Sequence, residues 1–166
     1  MKFFWRGGKH LAALLFFFAC LLVAGQASAA SKVPQFALPS AVDGKLVESD
    51  TYKGQVLLIN FFATWCPPCR QEIPGFVRLQ EELAPKGFTV IGLSVDESSA
   101  SVAKLIHRLD INYPVAMADT RVARQFGNIV GVPTSFLVDR SGTIVKSYLG
   151  YVDHNTLVRD LAAVLE

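Results

Sequence analysis

The chain has 166 residues, 51% of them hydrophobic and 18% charged, with a formal net charge of +2. That much apolar material excludes a disordered or fibrous chain and suffices for one packed domain. Sixteen Lys and Arg against fourteen Asp and Glu, with three cysteines, exclude a nucleic-acid binder working through a basic face and a disulfide-stapled mini-protein.

The cations are unevenly placed. Lys2, Arg6 and Lys9 stand in residues 1–29 with no acid, and the remainder carries 13 basic and 14 acidic residues, a net of −1. An uncharged run of 15 residues, Leu11 to Gly25, precedes Ala27-Ser28-Ala29. A positive start, an apolar middle and a small-x-small end make an export signal. The run is shorter than the roughly 20 residues of a spanning helix. Cleavage after Ala29 is therefore expected, leaving residues 30–166 as one domain that acts outside the cytoplasm, periplasmic or otherwise extracytoplasmic. The rivals are an uncleaved N-terminal anchor, since Leu11 to Ser31 carries no charge, and lipid attachment at Cys20. Phe17-Phe18-Ala19 leads poorly into a lipidation site, so Cys20 reads as one more apolar residue of the signal. The exported domain then holds two cysteines, Cys66 and Cys69, where disulfides persist.

Ser31 to Pro39 reads as an extended lead-in, and Asp43-Gly44 as a turn before Lys45 to Glu48. Gln55 to Phe62 is nearly continuously apolar, the mark of a strand buried on both faces. Pro67 to Leu83 has helical spacing at Ile73, Phe76, Val77, Leu79 and Leu83, with Pro74 expected to kink it. Phe88 to Val95 is a second buried strand. Ser99 to Leu109 is a helix with Val102, Leu105, Ile106 and Leu109 on one face. Pro114 to Met117 is a short strand, and Arg121 to Phe126 a short helix ending at Gly127. Ser135 to Val138 and Thr143 to Leu149 flank Asp139-Arg140-Ser141-Gly142, a hairpin signal. Asp153 is placed to cap a last helix carrying Leu157, Leu161, Val164 and Leu165. Strands alternating with helices predict an α/β layered fold with parallel pairs, and the late hairpin adds an antiparallel edge.

Trp65-Cys66-Pro67-Pro68-Cys69 sits between the first buried strand and the helix after it. A helix N-terminus presents unpaired N–H groups and partial positive charge, which stabilise a thiolate, and the thiolate is the nucleophile. Cys66 is expected to be exposed and acidic, and Cys69, one turn in, to be more buried and within disulfide reach. Pro67 and Pro68 suit a first turn. Two other uses of the pair are a static disulfide, which closes too short a loop to constrain much, and a zinc site, for which two of four ligands are missing. No metal site is expected.

Asn60 to Pro74, reading NFFATWCPPCRQEIP, together with Gly131 to Asp139, reading GVPTSFLVD, resembles the thioredoxin superfamily. Within it the chain is most similar to the extracytoplasmic TlpA/ResA-like thiol–disulfide oxidoreductases, over most of residues 34–166. The resemblance implies a central mixed sheet of four to five strands flanked by helices, an N-terminal extension, and a strand–helix insertion near Val95 to Pro114. It implies that Cys66 attacks and Cys69 resolves. It implies that Pro133 is a cis-proline beside the disulfide, where a trans proline ending a loop is the alternative, and that Val132 offers backbone groups to a substrate strand. Trp65, Pro67, Pro68 and Thr134 complete the expected substrate-facing set. Trp65 is expected to shield the site, to pack, or both. Glu72 matches an acidic residue lining the site in such proteins, placed to move protons for Cys69; a solvated helix carboxylate is the alternative. Thioredoxin itself carries a buried Asp where this chain has Asn60, and an amide is no base. Proton handling therefore falls to Glu72 or water. His107 and His154 read as surface residues.

The expected reaction is thiol–disulfide exchange with no cofactor beyond the Cys66–Cys69 pair. Cys66 attacks a protein disulfide, and Cys69 displaces the substrate thiol. The resemblance implies a membrane thiol-electron transporter as reductant and disulfide-bearing protein substrates, apocytochrome c being the family's commonest. A monomer is the default. One rival is a peroxiredoxin-like peroxidase, but its Thr three residues before the cysteine is Ala63 here. The other is a copper-delivery protein using the Cys pair and His154, but Tyr151-Val-Asp-His154 follows the final hairpin rather than preceding it.

Overall fold

A computed structural model describes residues 31–165. The expected export signal, Cys20 and the signal-or-anchor question lie outside them. Among the described residues no helix is long and apolar enough to cross a membrane.

The elements in chain order are β1 (Ala37–Pro39), β2 (Leu46–Glu48), a 3-10 turn (Ser49–Tyr52), β3 (Val56–Phe62), α1 (Pro67–Leu83), β4 (Phe88–Ser94), α2 (Ser99–Arg108), β5 (Val115–Met117), α3 (Thr120–Gln125), β6 (Thr134–Val138), β7 (Ile144–Leu149) and α4 (His154–Leu165). The five-stranded sheet runs β5-β4-β3-β6-β7. β3 pairs parallel with β4, and β4 parallel with β5. β6 is antiparallel to both β3 and β7. The expected mixed sheet is present, with boundaries within one or two residues of those read from the pattern.

β3 and β4 are buried along their whole length, as two-sided strands must be. Their side chains divide with period two. Val56, Leu58 and Phe62 join the layer containing Ile73, Phe76 and Leu79 of α1, Val102 and Leu105 of α2, and Leu157 and Leu161 of α4. Leu57, Ile59 and Phe61 face the other layer, with Val122 of α3, Phe126 and Phe36. Phe61 meets Phe126 nearly edge-on at 5.2 Å between ring centroids, an arrangement that adds to simple area burial. Asn60 is buried mid-strand, and its Nδ2 donates to Ser135 Oγ at 2.9 Å.

The lead-in does more than enter the fold. β1 and β2 form their own antiparallel ladder, and Ala41 N donates to Val115 O of edge strand β5 at 3.0 Å. Val33 N donates to Gly142 O at 2.9 Å, tying the segment to the β6–β7 turn. α1 is continuous through Pro74. Asp153 caps α4 as expected, accepting from Thr156 N at 3.0 Å.

Candidate active site

The site lies at the end of the sheet where the parallel strands β3 and β4 finish and β6 begins. Parallel α/β sheets place their sites at such carboxyl ends. Cys66 is the N-cap of α1, and its Sγ accepts from Cys69 N at 3.3 Å. Pro67 and Pro68 occupy the first turn, where missing N–H groups cost little. Cys66 and Cys69 are joined by a disulfide, with Cα atoms 5.3 Å apart.

The peptide bond between Val132 and Pro133 is cis. It turns the chain into β6 so that Val132 O lies 3.6 Å from Cys66 Sγ. Thr134 is buried, and its Oγ1 donates to Gly131 O at 2.8 Å, bracing the turn. Gly150 N, just after β7, donates to Pro133 O at 2.9 Å.

Two expectations about the cysteines and Trp65 change here. Cys66 is only 3% exposed in the disulfide form, against 1% for Cys69. Its sulfur faces the Val132 carbonyl rather than open solvent. The side chain standing out is Trp65, 65% exposed, which therefore contributes no packing to the core.

Glu72 lies one turn beyond Cys69, on the same side of α1. It is 4% exposed, so the solvated-carboxylate alternative is removed. Its Oε1 accepts from Val152 N at 2.7 Å, while Oε2 is buried without a protein partner. Burial pushes the carboxyl up to about 7, against the single opposing N–H of Val152. Tyr113, also buried, has its phenol raised by burial and then by the Glu72 charge. His154 is half-buried rather than on the surface as expected, because the start of α4 docks on α1. Its Nδ1 is buried without a partner beside Gly75, where a Cβ would sit 3.5 Å away.

Sequence reasoning passed over Asp96, which holds the loop that carries the motif. Its carboxylate accepts from Thr64 N at 2.8 Å, Thr64 Oγ1 at 2.6 Å and Ser94 Oγ at 2.8 Å. Arg70 Nη1 closes the same loop by donating to Thr64 O at 2.8 Å. The one available signal was the position of Asp96, just past the end of a buried strand beside the motif-bearing strand.

The sequence matches the Redoxin family over residues 28–165. The chain belongs to that family. It is 31% identical over 120 residues to the thiol-disulfide oxidoreductase ResA of Bacillus thuringiensis subsp. konkukian, covering 72% of this chain and 68% of that protein. It is 32% identical over 137 residues to the thiol:disulfide interchange protein DsbE of Pseudomonas aeruginosa, covering 80% and 73%. Among solved structures, a thioredoxin-family thiol:disulfide interchange protein of Chlorobium tepidum superposes with a TM-score of 0.76 at 38% identity, covering 82% of this chain and 97% of that one. The likeness to the thioredoxin superfamily and its ResA-like branch therefore holds, and the protein is a thiol–disulfide oxidoreductase.

Proposed function

We propose that this protein is an exported protein-disulfide reductase that works through the Cys66–Cys69 pair. The observation that carries the reading is the Cys66–Cys69 disulfide at the start of α1 with Val132 O 3.6 Å from Cys66 Sγ. A reduced Cys66 at the helix N-cap is favoured as thiolate by the N–H of Cys69 and by the helix dipole. It attacks one sulfur of a substrate disulfide, forming a mixed disulfide and expelling one substrate thiolate. Cys69 then attacks Cys66 Sγ, expels the second substrate thiolate and closes the Cys66–Cys69 disulfide. Two electrons pass from the dithiol to the substrate.

Val132 presents its backbone to the substrate chain in strand-like fashion, beside cis-Pro133 and Thr134. Trp65, Pro67 and Pro68 form the adjoining surface. Glu72, one turn from Cys69 and titrating near 7, takes the Cys69 proton as the resolving thiolate forms. The Lys2–Ala29 pattern supports export. In an oxidising compartment the pair needs re-reduction, for which a membrane thiol-electron transporter is the proposed donor and apocytochrome c the proposed substrate.

The test is the reduction potential of the Cys66–Cys69 pair, measured by equilibration with glutathione. A value near or below about −250 mV supports the reductase direction. A value near about −120 mV reverses it and makes the protein a disulfide donor.

A further inference from the structure

The disulfide is flanked by two unlike surfaces. On the β6 side stand exposed apolar side chains: Val130 is 92% exposed, Leu149 85% and Tyr151 55%. On the β4 side a groove of about 610 Å³ opens beside Thr64, two residues before Cys66. Arg70, Lys104 and Arg108 line it, with Leu105 and Leu109 of the same helix region, and no Asp or Glu does.

Three cations around one groove repel one another, and Lys104 and Arg108 are an i,i+4 like-charge pair that weakens α2 slightly. None of the three forms an ion pair among the described residues, and Lys32, Arg78, Lys86, Arg124 and Arg140 form none either; what sets the three apart is that they line one groove. Asp96, which accepts from Thr64 and Ser94, stands as a negative charge beside the groove but forms no ion pair with the three cations. Arg70 Nη1 is committed to Thr64 O, which leaves the other donors of its guanidinium without a protein partner. Arg70 has a structural use in its bond to Thr64 O, whereas neither Lys104 nor Arg108 has an ion-pair partner among the described residues.

We infer that the Arg70–Lys104–Arg108 groove binds an acidic, Asp- or Glu-bearing segment of the protein whose disulfide is exchanged at Cys66. The inference rests on the thiol–disulfide exchange reading above. The occupant is assigned to the substrate chain because Thr64, two residues before Cys66, lines the groove. Arg70 and Arg108 present forked donors that match carboxylates. An extended substrate is thereby oriented, with apolar residues towards Val130 and Leu149 and acidic ones towards α2.

The test uses the full chain, reduced and freed of excess dithiol, and three homodimeric disulfide peptides. Each has one cysteine with apolar residues on one side and three Glu, three Lys or three Gln on the other. The Gln peptide measures the exchange step itself. The Glu peptide is expected to be reduced about tenfold faster than the Lys peptide at low ionic strength, the lower end of what electrostatic steering supplies. The ratio should shrink as salt rises. In the Lys104→Glu/Arg108→Glu double variant the order of the two peptides should invert, while circular dichroism confirms that the fold is kept. Equal rates for the Glu and Lys peptides, or a preference unmoved by the double variant, overturn the groove assignment alone. No exchange with any of the three peptides overturns the exchange reading and this inference with it.

Discussion

Replacing Glu72 by Gln should change how stability depends on pH. The carboxyl titrates near 7 in the fold, raised from 4.5 by burial. A group whose folded pKa is raised stabilises the fold fully below its unfolded pKa and loses that contribution as pH rises through the folded value. The window is therefore pH 4.5 to somewhat above 7, and the ceiling on the loss is about 3 kcal/mol. Gln keeps an acceptor for Val152 N and cannot ionise. The variant-minus-parent stability should therefore rise by up to about 3 kcal/mol between pH 4.5 and pH 8.5. With a urea m-value of about 2 kcal/mol/M, the midpoint difference should move by about 1.5 M. Urea melts of both oxidised proteins across that range measure it. Parallel curves, offset by a constant amount at every pH, would show that Glu72 is not held neutral by burial.

The Cys66→Ala variant should lose disulfide reduction, whereas Cys69→Ala should accumulate substrate joined to Cys66, visible by mass spectrometry under non-reducing conditions; turnover by Cys66→Ala would reverse the assigned roles. Asp96→Ala strips Thr64 and Ser94 of a shared acceptor. Leaving buried donors unmade costs about 1–3 kcal/mol, to be read from thermal or urea unfolding; an unchanged midpoint would mean that water replaces the carboxylate. Gly92→Ala in β4 brings a Cβ to 3.1 Å from Phe62 Cε1 and 3.3 Å from Val115 Cγ2. Overpacking of that kind should cost about 1–3 kcal/mol in the same assay.

The elements were legible wherever their signals are local. The uninterrupted apolar runs of β3 and β4 announce two-sided strands, and the 3.6-residue spacing from Ile73 to Leu83 announces α1. The Cys66–Cys69 spacing at a strand-to-helix junction announces the reactive pair by itself. The site's surroundings were less legible. The pairing of β1 with β2 needs the edge strand β5 to dock against, and single short runs do not specify a partner. The burial of Cys66 and the partial burial of His154 followed from segments far along the chain folding against them.

Short-range physics thus settled the strand and helix order, the helix-terminal cysteines and the hairpin at Asp139–Gly142, because each depends on a few consecutive residues. Only the tertiary structure decided the environment that gives those residues their chemistry. Val132 O reaches Cys66 from 66 residues away, Val152 N reaches Glu72 from 80, and Asp96 reaches Thr64 from 32. The resemblance placed Glu72 at the site but left a solvated helix carboxylate as the alternative; its carboxyl is pushed up to about 7 because the fold closes over it. Desolvation depends on everything packed around a group, and that is set by the topology of the whole chain.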